Sequence, residues 1–168
     1  MSRLRIGIPG AGGIARSVHL PVLAEMGDVE LRALCGHVPG WAEEAAKPYH
    51  TPGKYLFCHD MLSREEPDAV FVLVPPDGLF RAAADCLLAG KHMFMEKPIG
   101  ITLFQAASLK DLAEKQNRVL HVGFNRRFIP LAANPEGGDP ARTAEDYSSM
   151  ELAEDLLKAR IKKAEFPC

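Results

Sequence analysis

The stretch Leu4-Arg5-Ile6-Gly7-Ile8-Pro9-Gly10-Ala11-Gly12-Gly13-Ile14-Ala15 decides the fold of this chain. Leu4–Ile8 is a short, mostly apolar run of strand length, and the glycines follow at once. Gly10, Gly12 and Ala15 form a G-x-G-x-x-A arrangement at a strand-to-helix turn. Gly10 permits the tight turn, Gly12 lets backbone approach a pyrophosphate, and small Ala15 lets helix and strand pack closely. A helix starting at Ile14 offers free N–H groups and positive potential to phosphates. A glycine-rich turn that merely joins strand to helix is the plainer reading, and Gly13 is the extra glycine it leaves unexplained. Position after a first strand favours the dinucleotide reading, with Gly10, Gly12, Gly13 and Ile14 against the cofactor.

Outward from this loop, short apolar runs alternate with longer helical patterns. Strands are predicted at Leu4–Ile8, Glu30–Cys35, Lys54–Phe57, Ala69–Val74, His92–Met95 and Val119–Phe124. Helices are predicted near Ile14–Met26, Trp41–Lys47, His59–Glu65, Leu79–Ala89 and Thr102–Gln116. Parallel neighbours need a crossover long enough to return to the same edge, so the alternation predicts an α/β fold. It is a doubly wound, mostly parallel, Rossmann-like sheet in three layers. Phe71-Val72-Leu73-Val74 is apolar without alternation, as in a central strand covered on both faces. Gly27, Gly90 and Asn117 follow helical stretches, where a left-handed cap is commonly required.

The composition, 47% hydrophobic and 25% charged over 168 residues, is that of a globular domain with a sizeable core. A net charge of -2 without a basic block argues against nucleic acid and anionic membranes, and the Arg126-Arg127 pair is not a patch. No apolar run has the length of a membrane span. Met1-Ser2-Arg3-Leu4-Arg5 enters a strand without a signal-peptide region, which predicts a cytoplasmic protein. Cys35, Cys58, Cys86 and Cys168 lack CxxC spacing, so buried free thiols are expected rather than disulfides or a metal site.

About 20 residues past the loop, NAD enzymes usually carry an acid for the ribose hydroxyls. Here Leu34-Cys35-Gly36-His37 has none. Either Gly36 and His37 remove repulsion against a 2′-phosphate and favour NADP, or the pocket has decayed. No Arg follows Gly36, so the balance tilts only modestly from NAD to NADP.

Further segments, His19-Leu20-Pro21, Ala89-Gly90-Lys91-His92, Glu96-Lys97-Pro98 and Val122-Gly123-Phe124-Asn125-Arg126-Arg127-Phe128, stand in order with the loop. Together these resemble the Gfo/Idh/MocA oxidoreductases, over roughly Leu4 to Leu131. The resemblance implies NAD or NADP as cofactor and a sugar, inositol or related polyol as substrate. It implies a catalytic Lys97 that assists proton transfer during hydride exchange, Glu96 beside the nicotinamide ribose, and Pro98 fixing the turn, for which a cis bond is one means. A Lys desolvated beside a cofactor can have its pKa lowered; a solvated lysine after a strand is the plainer alternative.

The chain departs from that family where its fourth strand usually ends in Thr-Pro, followed shortly by Asn or His. Val74-Pro75 and Leu79 stand there instead, so apolar groups are expected to face the cofactor, with Asp77 a partial substitute or an exposed turn acid. Only 38 residues follow Pro130, too few for the family's large substrate domain. The domain reading is therefore 1–131 as the NAD(P)-binding unit, 132–147 as a linker, and 148–168 carrying a C-terminal amphipathic helix packed on the same domain. Gly138–Glu154 looks like the end of full-length members, which suggests an internal deletion; an unrelated amphipathic helix is the alternative. Two functions remain: a shortened oxidoreductase, or a non-catalytic nucleotide-binding or partner-binding module that uses Phe124, Phe128 and Ile129.

Overall fold

Six strands form one sheet in the order β3-β2-β1-β4-β5-β6, in a computed structural model that describes residues 3–124. The elements are β1 (Leu4–Pro9), a π-helical turn (Ala15–His19) running into α1 (Leu20–Glu25), β2 (Val29–Cys35) and α2 (Trp41–Ala46). Then come β3 (Gly53–Tyr55), α3 (Cys58–Glu65), β4 (Ala69–Val72), α4 (Pro76–Leu88), β5 (His92–Glu96), α5 (Leu103–Lys115) and β6 (Leu120–Gly123). The pairings β1 with β2, β1 with β4, β2 with β3 and β4 with β5 are all parallel. This is the expected doubly wound Rossmann-like α/β fold, and the strand order reverses between β1 and β4, where such sheets open a crevice at the carboxyl ends of their strands.

Alternation along the central strands distributes side chains to two cores. Val70 and Val72 of β4 and Met93 and Met95 of β5 join Met61, Leu79, Leu87 and Leu109 on the face covered by α3, α4 and α5. Phe71 and Phe94 point the other way and pack on each other, 4.9 Å between centroids. Phe94 is fully buried, which stabilises the fold by roughly 2–3 kcal/mol relative to exposure. The expected central strand is thus apolar because both of its faces are covered.

Several boundaries differ from expectation for local reasons. β4 ends at Val72, and α4 starts at Pro76, because a proline is well tolerated in a helix's first turn where its missing N–H is no loss. β3 is the shorter Gly53–Tyr55, and β6 ends at Gly123. Thr102 caps α5: its Oγ1 accepts from the Gln105 N–H at 3.2 Å, while Gln105 Oε1 accepts from the Ile101 N–H at 2.8 Å. Gly90 and Asn117 take the expected left-handed conformation, with φ of 69° and 50°. Gly27 does not; α1 ends instead at an extended Met26, with φ -78° and ψ 114°, which turns the chain directly toward β2. The linker and helix expected at 132–147 and 148–168, with Phe128 and Ile129, lie outside the described residues.

Candidate functional site

Because the strands are parallel, the segments following β1, β2, β4 and β5 emerge on one edge of the sheet. They are Gly10–Ile14, Gly36–His37, Val74–Pro75 and Glu96–Pro98. The sheet therefore brings all the predicted site residues to one edge.

The first segment is fixed by its backbone. The Gly10 N–H donates to the Cys35 carbonyl of β2 at 2.9 Å, and the Leu73 N–H, just past β4, donates to the Pro9 carbonyl at 2.7 Å. Gly10 has φ 107°, and a Cβ there would stand 2.5 Å from the Leu73 carbonyl oxygen, so only glycine fits. Gly12 and Gly13 are different. A Cβ on Gly13 would meet nothing within 4 Å, and one on Gly12 would meet only Trp41 at 3.8 Å. Their outer surface is open, a cradle a side chain would fill and a phosphate can approach. The first bond of the following helix runs from the Arg16 N–H to the Gly12 carbonyl at 3.1 Å. The N–H groups before Arg16 precede the intrahelical ladder and are available to an anion. Ile14 is already helical and exposed.

Arg16, which no sequence pattern singled out, straps this loop to α2. Its Nε donates to the Ala11 carbonyl at 3.0 Å and its Nη2 to the Trp41 carbonyl at 3.0 Å, while Nη1 pairs with Glu44 at 3.2 Å. Its guanidinium lies 5.7 Å from the centroid of the Trp41 ring. The exposed Glu44 pair adds little by itself; the two carbonyl bonds are what hold the loop in register.

At the end of β2 the Gly36 N–H donates to the Tyr55 carbonyl at 3.0 Å. A Cβ on Gly36 would stand 3.4 Å from Ala11 Cβ, in ordinary contact, so this segment lies directly against the loop. His37 is exposed. Past β4, Val74 is half-buried against the α3–α5 core and Pro75 and Asp77 are exposed. Leu79 does not face the open edge as expected: it is buried in the core beneath α4, where an apolar side chain is the natural occupant.

The fourth segment is organised by a pair that sequence reading did not predict. His19 Nε2 and Glu96 Oε1 are 2.9 Å apart, with side-chain exposures of 6% and 17%. His19 rests on the aromatic floor, 5.9 Å from Phe71 and 5.3 Å from Phe94 between centroids. The other Glu96 oxygen accepts from the Lys97 N–H at 3.3 Å. Burial alone would push the Glu96 carboxyl up, but the His19 hydrogen bond and charge, with Lys97 adding to both, outweigh it and hold the group below its ordinary value. Lys97–Pro98 is a cis peptide, in accord with the turn expected there. Lys97 itself is exposed, so the desolvation expected of it is not supplied by the described residues. The His19-Leu20-Pro21 segment had carried the signal without its role, since its partner lies 77 positions away.

Residues 4–124 match the GFO_IDH_MocA family, described as an oxidoreductase family with an NAD-binding Rossmann fold. The chain belongs to this family. Gfo/Idh/MocA relatives similar to it include the rhizopine catabolism protein MocA of Rhizobium meliloti, 32% identical over 77% of this chain and 40% of that one. Among solved structures, a family oxidoreductase from Vibrio cholerae superposes with a TM-score of 0.70 at 37% identity, covering 76% of this chain and 40% of the other. A scyllo-inositol dehydrogenase from Lactobacillus casei, with bound NAD(H) and scyllo-inositol, superposes with a TM-score of 0.70 at 28% identity, covering 76% and 38%. The chain thus spans about two fifths of the length of the relatives it matches. Among the described residues no helix is long and apolar enough to cross a membrane.

Proposed function

We propose that this chain binds a nicotinamide dinucleotide at Gly10–Ile14 and presents Lys97 for hydride exchange with a sugar, inositol or related polyol. The observation that carries the reading is the His19–Glu96 bond, which ties the helix of the phosphate loop directly to the Glu96-Lys97-Pro98 segment. The family, and relatives that include a scyllo-inositol dehydrogenase, support it. Gly10, Gly12, Gly13 and Ile14 would hold the pyrophosphate, Gly36 and His37 the adenosine ribose, and Val74, Pro75 and Glu96 the nicotinamide half. The nicotinamide, when bound, supplies the hydride acceptor or donor. Lys97 Nζ moves the proton of the reacting hydroxyl, and Glu96, fixed by His19, sets where the Lys97 backbone begins. The absence of an acid at Gly36-His37 supports NADPH over NADH, since a carboxylate there would repel a 2′-phosphate.

A second reading, a nucleotide-binding module without turnover, draws on a different observation. Ile101, Leu103 and Phe104, just beyond the Glu96-Lys97-Pro98 segment, are 64%, 86% and 77% exposed among the described residues, and such apolar area marks a contact surface. Titration with NADH and NADPH, followed through the fluorescence of Trp41, tests both readings. The enzyme reading expects saturable binding, tighter for NADPH, and polyol or sugar turnover that Lys97→Ala abolishes while changing cofactor affinity by less than about threefold. Binding without turnover favours the module, and no binding of either dinucleotide overturns both.

A further inference from the structure

Beneath the β2 end of the cofactor edge lies a cluster of three thiols from three different elements. Cys35 closes β2, Cys58 opens α3 and Cys86 lies in α4; all three are free. Cys58 Sγ is 3.8 Å from Cys86 Sγ, and Cys35 belongs with Cys86 to the core against which Cys58 packs. The cysteines are not equivalent. Cys35 and Cys86 are buried, whereas Cys58 is partly exposed.

Three features bear on Cys58 alone. It is the first residue of an eight-residue helix whose N-cap, Phe57, makes no side-chain capping bond, which leaves free N–H groups in a first turn that also carries Asp60. His59 stands beside it, and the thiols of Cys35 and Cys86 both favour its thiolate form by hydrogen bonding, outweighing the effect of partial burial. Partial exposure together with positive potential is the environment in which a cysteine reacts, and buried cysteines without it are inert.

We propose that Cys58 is a peroxide-reactive modification site and that Cys86 resolves the oxidised sulfur as a Cys58–Cys86 disulfide. The Cys58 thiolate attacks one peroxide oxygen, the O–O bond breaks, and the leaving oxygen takes a proton. Cys58 is then a sulfenic acid. The Cys86 sulfur attacks it as the S–O bond breaks, and hydroxide leaves as water with the proton of the Cys86 thiol. Two thiols have given two electrons to one peroxide. Closing the bridge shortens the sulfur separation by about 1.8 Å, to the usual disulfide length. Cys86 is the resolving partner because its Sγ lies against that of Cys58, at 3.8 Å. Cys35 is held on both sides, by Pro9 of β1 and Tyr55 of β3, and its carbonyl receives the Gly10 N–H.

The full chain, reduced and treated with hydrogen peroxide, tests this without reference to cofactor. Trypsin places the three cysteines in separate peptides, Ala33–Lys54, Tyr55–Arg64 and Ala82–Lys91, so the link can be assigned by mass. The expected product is a Tyr55–Arg64 peptide joined to Ala82–Lys91. In Cys86→Ser, dimedone is expected to label Cys58, and in Cys58→Ser, Cys86 is expected to stay reduced. In the untreated native chain a maleimide should modify Cys58 at least about tenfold faster than Cys35 or Cys86. Oxidation that falls on Cys35 or Cys168 first, a linkage other than Cys58–Cys86, or equal alkylation of the three cluster thiols would overturn the proposal. The linkage and alkylation measurements use the unaltered chain, so they stand even where a variant fails to fold.

Discussion

The two ends of the cofactor edge are built on opposite principles. At Gly10–Ile14 the groups positioned are main-chain ones, held by the Gly10 N–H on Cys35 and by Arg16 on the Ala11 and Trp41 carbonyls. At Glu96–Pro98 the positioning is done by a buried side-chain pair, and the chemical group beside it, Lys97, is exposed. The first end is ordered by bonds within the described residues, whereas at the second those residues leave Lys97 exposed. Under the proposed function, dinucleotide binding would rest on the backbone geometry of the loop, whereas the proton transfer proposed for Lys97 would rest on a side chain that the described residues leave exposed.

Substitutions that act on one end and spare the other put this contrast at risk. The largest effect is expected from Gly10→Ala, which imposes both a positive φ and a clash with the Leu73 carbonyl. Urea unfolding should show a loss of about 3 kcal/mol or more, with dinucleotide binding abolished. A loss under about 1 kcal/mol would show that the loop is not locked as described.

Glu96→Gln is expected to be intermediate and pH-dependent. The folded state holds the Glu96 carboxyl below its ordinary value of 4.5, so its ionised form stabilises the fold above that value. The stabilisation disappears as pH falls through the lower, folded value. The difference in stability between wild type and Glu96→Gln should be largest near neutrality and vanish in acid; a difference independent of pH would mean that shape rather than charge matters at this end.

Gly13→Ala should have the smallest effect on folding, within about 0.5 kcal/mol by urea unfolding, because its Cβ meets nothing. NADH affinity should nevertheless fall by about tenfold or more, since the added methyl group fills the phosphate cradle. Unchanged affinity would place the pyrophosphate elsewhere.

What the sequence reveals of this molecule follows the range of the interactions. Glycine spacing and apolar runs are local, so the loop and all six strands can be read directly. Arg16 is invisible because its acceptors are carbonyls of Ala11 and Trp41, which any residue supplies. The His19–Glu96 pair and the thiol cluster are assembled across the sheet, from positions no spacing rule connects. Gly27 misleads in the opposite sense, as a glycine after a helix suggests a left-handed cap even where an extended Met26 makes the turn. Leu79 misleads because an aligned position says which residue stands there and not which core it enters.

Arg16 has a thermodynamic corollary. Its bonds to the Ala11 and Trp41 carbonyls tie the loop to α2 through one guanidinium, so much of the conformational entropy of the loop is already surrendered when the domain folds. Under the proposed function, an incoming dinucleotide would meet an ordered surface and lose little affinity to ordering it. Association is then limited by diffusion and orientation rather than by loop rearrangement, and weakening of the strap should appear first as a slower approach to equilibrium.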